Sequence, residues 1–149
     1  MTKEVWLTSE RYVKTVTSIS DNIAGKYLLP SIREAQEQGL RSILGDILID
    51  KIKKLVRTEQ IEQDENEEYR NLLDHCQYYL AYMAVVEVTN KVSFKIGNFG
   101  VSKSSDENLQ VASYDEITKM QYYYQSKADA YCVEIQNWLL DNKSKFPEL

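Results

Sequence analysis

Residues 78–88 read YYLAYMAVVEV, and this stretch decides the fold. Apolar and aromatic side chains surround it on nearly every side, and Glu87 is its one charged residue. A helix that is apolar all round is normally enclosed by other elements, so we predict that this helix is the centre of a bundle. We place it at about Asn66 to Asn90, because the residues before the quoted stretch continue an amphipathic helical pattern with Tyr69, Leu72, Leu73 and Cys76.

A second long helix is predicted towards the C-terminus. Ser113 and Glu116 in the sequence SYDE form a capping box, so this helix begins at residue 114 and runs to about Asn142. Such a helix needs a long partner, and we expect the central helix to lie antiparallel to it. Its apolar seam repeats every three or four residues and consists of Ile117, Met120, Tyr124, Ala128, Tyr131, Ile135 and Trp138.

Shorter helices are predicted before the central helix. Thr8 or Ser9 can cap the first of them. The next begins near residues 27–30 and ends at Gly45, since a glycine after the last turn commonly stops a helix. Asp46 can then cap a third short helix, whose apolar residues are Ile49, Ile52, Leu55 and Val56.

Between the two long helices, the sequence predicts a β-hairpin at about residues 91–103. Apolar and polar residues alternate in NKVSFKIGNFGVSKSSDEN (residues 90–108), and Gly97-Asn98 fits a two-residue turn. Two strands alone are marginal in water, so their apolar face needs cover from the chain's own helices or from a neighbouring chain. That face consists of Val92, Phe94, Ile96, Phe99 and Val101.

These elements predict a mainly α fold: a helical bundle with long central and C-terminal helices and one inserted β-hairpin. No internal repeat or break in composition marks a second domain, so we treat residues 1–149 as a single domain. The last residues, KSKFPEL (143–149), are predicted to be a flexible tail with Phe146 and Leu149 exposed.

Composition narrows the possible functions. The net charge of −5 argues against broad nucleic-acid binding through phosphate neutralisation. Eleven of the 16 aromatic residues are Tyr, which suits both the rim of a core and contacts between subunits. We interpret Cys76 and Cys132 as small buried residues in a reducing compartment. The first ten residues lack a signal-peptide core and Tyr78 to Val86 is too short for a membrane span, so we expect a soluble protein.

The residue types needed for catalysis are scarce and scattered. His75 is the one histidine, and its neighbour Cys76 points about 100° away on a helix, so adjacency does not pair a nucleophile with a base. Neither a zinc pattern, nor a calcium loop in the acidic residues 59–68, nor a phosphate-binding glycine loop is present. We therefore predict a protein that is not an enzyme, with no catalytic residue, metal or cofactor.

One basic stretch, KIKKLVR, lies at the end of the third short helix. Cations are favoured there by the negative end of the helix dipole, which is the simpler explanation. Contact with an acidic partner or with DNA is the alternative. The basic residues are Lys51, Lys53, Lys54 and Arg57.

The order of these features resembles a known family. Pro30 to Ile52, PSIREAQEQGLRSILGDILIDKI, contains an Ile-x-x-Ala-Gln step followed by Leu-Gly-Asp and a short helix. A long apolar-aromatic helix, a hairpin around FKIGNFGV and a long final helix follow. Over about Thr8 to Asn142, this order is similar to the helical head–tail connector proteins of tailed bacteriophages, also called adaptor or head-completion proteins.

The resemblance implies a structural protein of the virion neck, assembled in the host cytoplasm. Such proteins form a ring of about twelve copies below the portal, extend the DNA channel and dock the tail or the next neck protein. The implied partners are therefore further copies of the chain, the portal protein, a tail or second neck protein, and DNA that passes without sequence readout. No membrane partner is implied.

The resemblance also assigns roles to particular residues. The hairpin residues Val92, Phe94, Ile96, Phe99 and Val101 become inter-subunit contacts. Phe146 and Leu149 become contacts with the portal or another neighbour, and Glu62, Asp64 and Glu65 become acidic residues that line the channel and repel phosphate. Two alternatives stay open: a small helical scaffold or regulatory protein that dimerises through its C-terminal helix, and an enzyme that uses Asp, Glu and Tyr.

Overall fold

The computed structural model describes residues 4–19, 25–100 and 107–149. Those residues form α-helices and no β-strand, so the predicted mainly α bundle is confirmed. One segment, Ala35–Leu40, is π-helical. The helices are α1 (Glu10–Thr17), α2 (Leu28–Glu34), α3 (Arg41–Leu44), α4 (Asp46–Arg57), α5 (Glu67–Gly100) and α6 (Glu107–Asp141). Short 3-10 turns lie at Gly25–Tyr27, Asp64–Asn66 and Lys143–Lys145.

The helix α5 is the centre of the bundle, as its sequence predicts. Its side chains Leu72, Cys76, Leu80 and Val85 are fully buried, because α1, α2, the π-helical segment and α6 pack around it. The other described helices supply their apolar faces to the same core, with Val13, Ile32, Leu48, Ile52 and Ile135 buried.

The helices α5 and α6 run antiparallel, which confirms the predicted pairing. His75 lies against Trp138, with ring centroids 4.5 Å apart. Further along α5, Tyr78 stacks on Tyr131 at 5.3 Å, which is nearer the start of α6. Along this contact, later residues of α5 meet earlier residues of α6, as in an antiparallel pair. In the predicted seam, Ala128 and Ile135 are buried, and Tyr124, Tyr131 and Trp138 are half-buried.

The predicted β-hairpin is wrong. The helix α5 continues ten residues beyond Asn90, so Val92, Phe94, Ile96 and Phe99 lie on a helix and not on strands. Val101 lies outside the described residues. Alternation of apolar and polar residues over a few positions is a weak, local preference for a strand. Extending the existing helix α5 by further residues needs no new nucleation and is therefore favoured. A two-stranded hairpin has no comparable support.

Two of the helix ends predicted from capping residues occur in the N-terminal half, and the one predicted at Ser113 does not. Ser9 caps α1, and its hydroxyl accepts a hydrogen bond from Tyr12 N–H at 3.1 Å. Gly45 ends α3 with φ of 83°, a conformation that favours glycine, and itself occupies the cap position of α4. The predicted capping by Ser113 is wrong, because α6 begins at Glu107 and Ser113 lies inside it.

The C-terminal residues fold back onto the bundle. Phe146 is 2 % exposed and packs edge-to-face on Tyr69, with ring centroids 5.5 Å apart. The Tyr69 hydroxyl donates a hydrogen bond to Glu148 Oε1 at 2.6 Å. The prediction that Phe146 is exposed is therefore wrong, because burying its ring against Tyr69 and Trp138 removes a large apolar surface from water. Leu149 is exposed, as predicted.

Candidate interaction surfaces

The groups that most resemble catalytic residues are engaged in packing. His75 lies on the exposed side of α5 against the Trp138 ring. Burial raises the pKa of the Cys76 thiol well above its usual range, which keeps it protonated and a poor nucleophile. In the described ranges, no three His, Cys, Asp or Glu residues are grouped so that they hold a metal ion. No helix there combines the length and apolar composition of a membrane span.

The Ala-Gln step of the sequence has a structural role. Gln36 is fully buried in the π-helical segment, and its Oε1 accepts a hydrogen bond from Leu7 N–H at 2.9 Å. Its Nε2 donates to the carbonyl oxygen of Val5 at 2.7 Å. One side chain therefore satisfies two backbone groups of the extended segment before α1 and holds that segment on the bundle.

The Leu-Gly-Asp step builds a charged corner between α3 and α4. Arg41 donates to Glu37 at 2.8 Å, to Asp46 at 3.1 Å and to Asp50 at 3.0 Å. Lys53 also bonds Glu37. Partial burial acts to raise the pKa of Glu37, but hydrogen bonds from Arg41, Lys53 and Gln36 outweigh it and lower that pKa to about 2. This network fixes the direction in which α4 leaves α3.

A second charged group ties α5 to α2. Lys91 donates to Ser31 Oγ at 3.0 Å and to Glu34 Oε2 at 2.7 Å. Burial, together with a hydrogen bond and repulsion from Glu34, raises the pKa of Glu87, so that carboxyl stays protonated to higher pH than an exposed one. The end of the predicted central helix is thus fixed to the N-terminal helices.

Tyrosines fill one side of the contact between α5 and α6. Tyr131 stacks on Tyr82, with ring centroids 5.6 Å apart, and Tyr82 lies 6.0 Å from Tyr124. The Tyr124 hydroxyl donates to the carbonyl oxygen of Thr17 at 3.2 Å, which joins α6 to the end of α1. Burial raises the pKa of Tyr124, so its hydroxyl remains a hydrogen-bond donor at neutral pH. Much of the tyrosine content therefore serves the rim of the core.

The opposite side of α6 carries a line of exposed residues that sequence reasoning missed. Tyr122 is 78 % exposed, Val133 is 53 % exposed and Leu140 is 70 % exposed. At about 100° per residue, these positions lie within about 20° of one line on the helix, opposite Tyr131. Two exposed acids share that line. We call it the outer strip of α6; it consists of Asp115, Tyr122, Asp129, Val133 and Leu140.

A groove lies beside the C-terminal end of the outer strip. It has a volume of about 560 Å³, and its apolar lining includes Ile43 of α3, Leu140 and Leu149. Gln136, Asn137 and Lys143 give it a polar rim. Leu149, predicted as a contact with a neighbour, therefore lies on an open apolar surface, whereas Phe146 lies in the core.

The other predicted site residues lie in two separate places. Glu62, Asp64 and Glu65 are exposed in the connection between α4 and α5. Val92, near the opposite end of α5, is half-buried against the chain's own core. The structure does not bring the acidic group and the predicted inter-subunit group together, since they lie before the first turn and in the last turns of one 34-residue helix.

A protein-family model matches the C-terminal part of the chain. Residues 40–149, more than half of the chain, match a model described as Family of unknown function (DUF6712). The matched range includes α4, α5 and α6 in full. No curated protein and no solved structure matches the chain significantly.

Proposed function

This chain belongs to the DUF6712 family of unknown function, and we propose that it is a head–tail connector protein of a tailed bacteriophage virion. In this proposal, about twelve copies form a ring below the portal. The ring extends the DNA channel and docks the tail or the next neck protein. The protein has a structural role and catalyses no reaction.

The observation that carries the proposal is the outer strip of α6. A long helix that packs one face on α5 normally presents polar residues on the other, yet α6 exposes Tyr122, Val133 and Leu140 there. Exposed apolar residues that share one line favour contact with another protein chain. In a ring, each copy covers a face of its neighbour along such a helix.

The resemblance to connector proteins adds the remaining roles. The last turns of α5 and residue 101 carry the predicted inter-subunit contacts Val92, Phe94, Ile96, Phe99 and Val101. Val92, Phe94, Ile96 and Phe99 lie on a helix, so a neighbour would meet this part of the chain by packing against a helix and not through strand addition. Leu149, beside the groove, remains the proposed contact with the portal, and Phe146 acts by holding the C-terminus in place.

Glu62, Asp64 and Glu65 are proposed to face the DNA channel. They are exposed and lie in one short connection, so they form a compact negative surface. Like charge between this surface and phosphate opposes tight binding, which suits a channel through which DNA moves.

Labelling of virions tests the proposal. An antibody against this chain, applied to tailed particles from cells that carry its gene, is expected to mark the junction between head and tail. Quantitative mass spectrometry of the same particles should give about one copy for each portal subunit. Particles that lack the chain, or that carry it along the tail or on the capsid surface, would contradict the proposal.

The alternative function, a scaffold or regulatory protein that dimerises through its C-terminal helix, rests on the same outer strip. Two copies can bury Tyr122, Val133 and Leu140 against each other across a twofold axis. A stable dimer that does not grow with concentration, together with absence from particles, would favour this alternative.

A further inference from the structure

The outer strip of α6 combines apolar residues with negative charge. Asp115 and Asp129 lie within about 20° of the line through Tyr122 and Leu140. No lysine or arginine lies within about 40° of that line between residues 115 and 141. Asp129 accepts one hydrogen bond, from Gln125 Nε2 at 2.8 Å, and is otherwise directed to solvent. A partner for this strip needs apolar side chains flanked by cations.

The helix α4 of the same chain presents such a face. Ile47 is 68 % exposed in its first turn. Lys51 and Lys54 follow at four and seven residues, within about 40° of the same line on the helix. Ile47, Lys51 and Lys54 form what we call the outer strip of α4. The exposed Arg57 adds a further cation at its C-terminal end.

The positive charge of α4 is not cancelled within the chain. Its exposed acids, Asp46 and Asp50, both pair with Arg41, at 3.1 and 3.0 Å. In the part of the chain that the structure describes, Lys51 and Lys54 form no salt bridge. Lys51 lies over the Tyr69 ring, 5.6 Å from its centroid, and Lys54 is exposed. Both cations are thus available to a second chain.

We propose that the outer strip of α4 in one copy docks on the outer strip of α6 in the next copy. This inference rests on the proposed function and assigns its inter-subunit contact. Ile47 and Lys54 are seven positions apart, about 10 Å along the helix, and Asp129 and Leu140 are eleven positions apart, about 16 Å. Ile47 then packs near Val133 and Leu140 while the lysines face Asp129.

The two strips are different surfaces of one chain, so the contact is heterologous. Each copy offers an unused α4 strip and an unused α6 strip to further copies. Association of this kind continues until the rotation closes it into a ring. Charge complementarity selects the pairing of α4 with α6 over α4 with α4 or α6 with α6, since those place like charges together.

Charge reversal and mixing test the inference. The variants are Lys51→Glu/Lys54→Glu in the α4 strip and Asp129→Lys in the α6 strip, studied by sedimentation velocity and native mass spectrometry. Each variant alone is expected to need about tenfold or more protein for half-assembly, because like charges then meet across the contact. An equimolar mixture should assemble as the wild type does, because every junction again pairs opposite charges.

Glu134→Lys is the matched control for the α6 variant. Glu134 is exposed on the same helix but lies about 120° from Tyr122, so its reversal should leave assembly unchanged. Circular dichroism of each variant establishes that the helices are intact. Loss of helical signal in Lys51→Glu/Lys54→Glu would direct the same test to Lys54→Glu alone.

The outcomes separate this inference from the proposed function. A wild-type ring that both charge variants form equally well overturns the α4–α6 contact and leaves the connector proposal standing. Variants that lose assembly but are not restored by mixing also overturn it. A wild-type protein that is monomeric at every concentration overturns the self-association inferred here, whereas labelling of the virion neck tests the connector role separately.

Discussion

Gln36 and Leu7 are joined in the interior of the protein by a hydrogen bond from Leu7 N–H to Gln36 Oε1 of 2.9 Å. Gln36 is fully buried, and its Nε2 donates a second hydrogen bond, to the Val5 carbonyl oxygen. Residues 4–9, the described part of the chain before α1, are not helical, so this side chain replaces backbone partners that regular structure would provide. Gln77 Nε2 adds a hydrogen bond to the Leu7 carbonyl oxygen at 2.9 Å, so the buried amide of Gln36 is one of two side chains that hold the N-terminal segment.

Replacement of Gln36 by leucine is expected to destabilise the protein by about 2–4 kcal/mol, because two buried backbone groups lose their partner. Urea denaturation followed by circular dichroism measures the change. Gln38→Leu is the matched control, since Gln38 is exposed in the same π-helical segment, and its effect should stay within about 0.5 kcal/mol. Equal losses for the two variants would contradict the role given to Gln36.

Gly39→Ala is expected to destabilise the protein by about 1–3 kcal/mol, although alanine usually strengthens a helix. A Cβ at Gly39 would lie far inside contact distance of the Tyr79 hydroxyl and 3.3 Å from Tyr79 Cζ. Tyr79 is 5 % exposed, so it has little room to move.

A double-mutant cycle with Tyr79→Phe measures this contact. Removal of the hydroxyl takes away the closest clash, so Gly39→Ala should cost less in the Tyr79→Phe background than in the wild type. Stabilisation by Gly39→Ala in the wild-type background would show that Gly39 is not required for the approach of Tyr79.

Glu37 should contribute to the dependence of stability on pH. Its pKa falls from 4.5 to about 2 in the folded chain, because hydrogen bonds from Arg41, Lys53 and Gln36 outweigh the effect of partial burial. The folded state therefore binds the proton less tightly than the unfolded state. The stabilisation is complete above about pH 4.5 and is lost as the pH falls towards 2.

Glu37→Gln is expected to lower the free energy of unfolding by about 1–2 kcal/mol at pH 7, after allowance for solvent screening. The same variant should flatten the decline in stability between pH 4.5 and 2. Urea titrations at several pH values measure both effects. Glu62→Gln, in the exposed connection, should follow the wild-type curve. An unchanged acid limb in Glu37→Gln would contradict the account.

The acidic connection gives a prediction that depends on the proposed function. Replacement of Glu62, Asp64 and Glu65 by lysine should slow DNA passage, because cations at the channel wall attract phosphate. Ejection kinetics of otherwise normal virions measure the effect, with Glu59→Lys/Glu67→Lys as the charge control. Unchanged ejection and infectivity would place the three carboxylates away from the DNA.

The helical plan follows from sequence because its signals are long and agree with one another. The apolar stretch of residues 78–88 and the seam from Ile117 to Trp138 each extend over several turns, so the two helices and their antiparallel contact are predictable. Ser9 and Gly45 mark helix ends through their own backbone chemistry. These helices and helix ends are predictable because they depend mainly on residues that are close in sequence.

The errors arise where a short signal competes with distant contacts. Alternation at residues 92–96 predicts strands, but the existing helix α5 continues through them. The polar residues around Phe146 predict an exposed tail. In the structure its ring packs against Tyr69 and Trp138, which are distant in sequence. The spacing of Tyr122, Val133 and Leu140 in the sequence places them on one line of a helix. That this line is exposed follows only once the opposite side of α6 is known to pack on α5.

Native mass spectrometry combined with negative-stain imaging, at low and high protein concentration, tests the proposed ring most directly. The full chain is expected to form a closed ring of about twelve subunits, with the fraction in rings rising with concentration. A protein that stays monomeric or dimeric at every concentration would contradict the proposed ring.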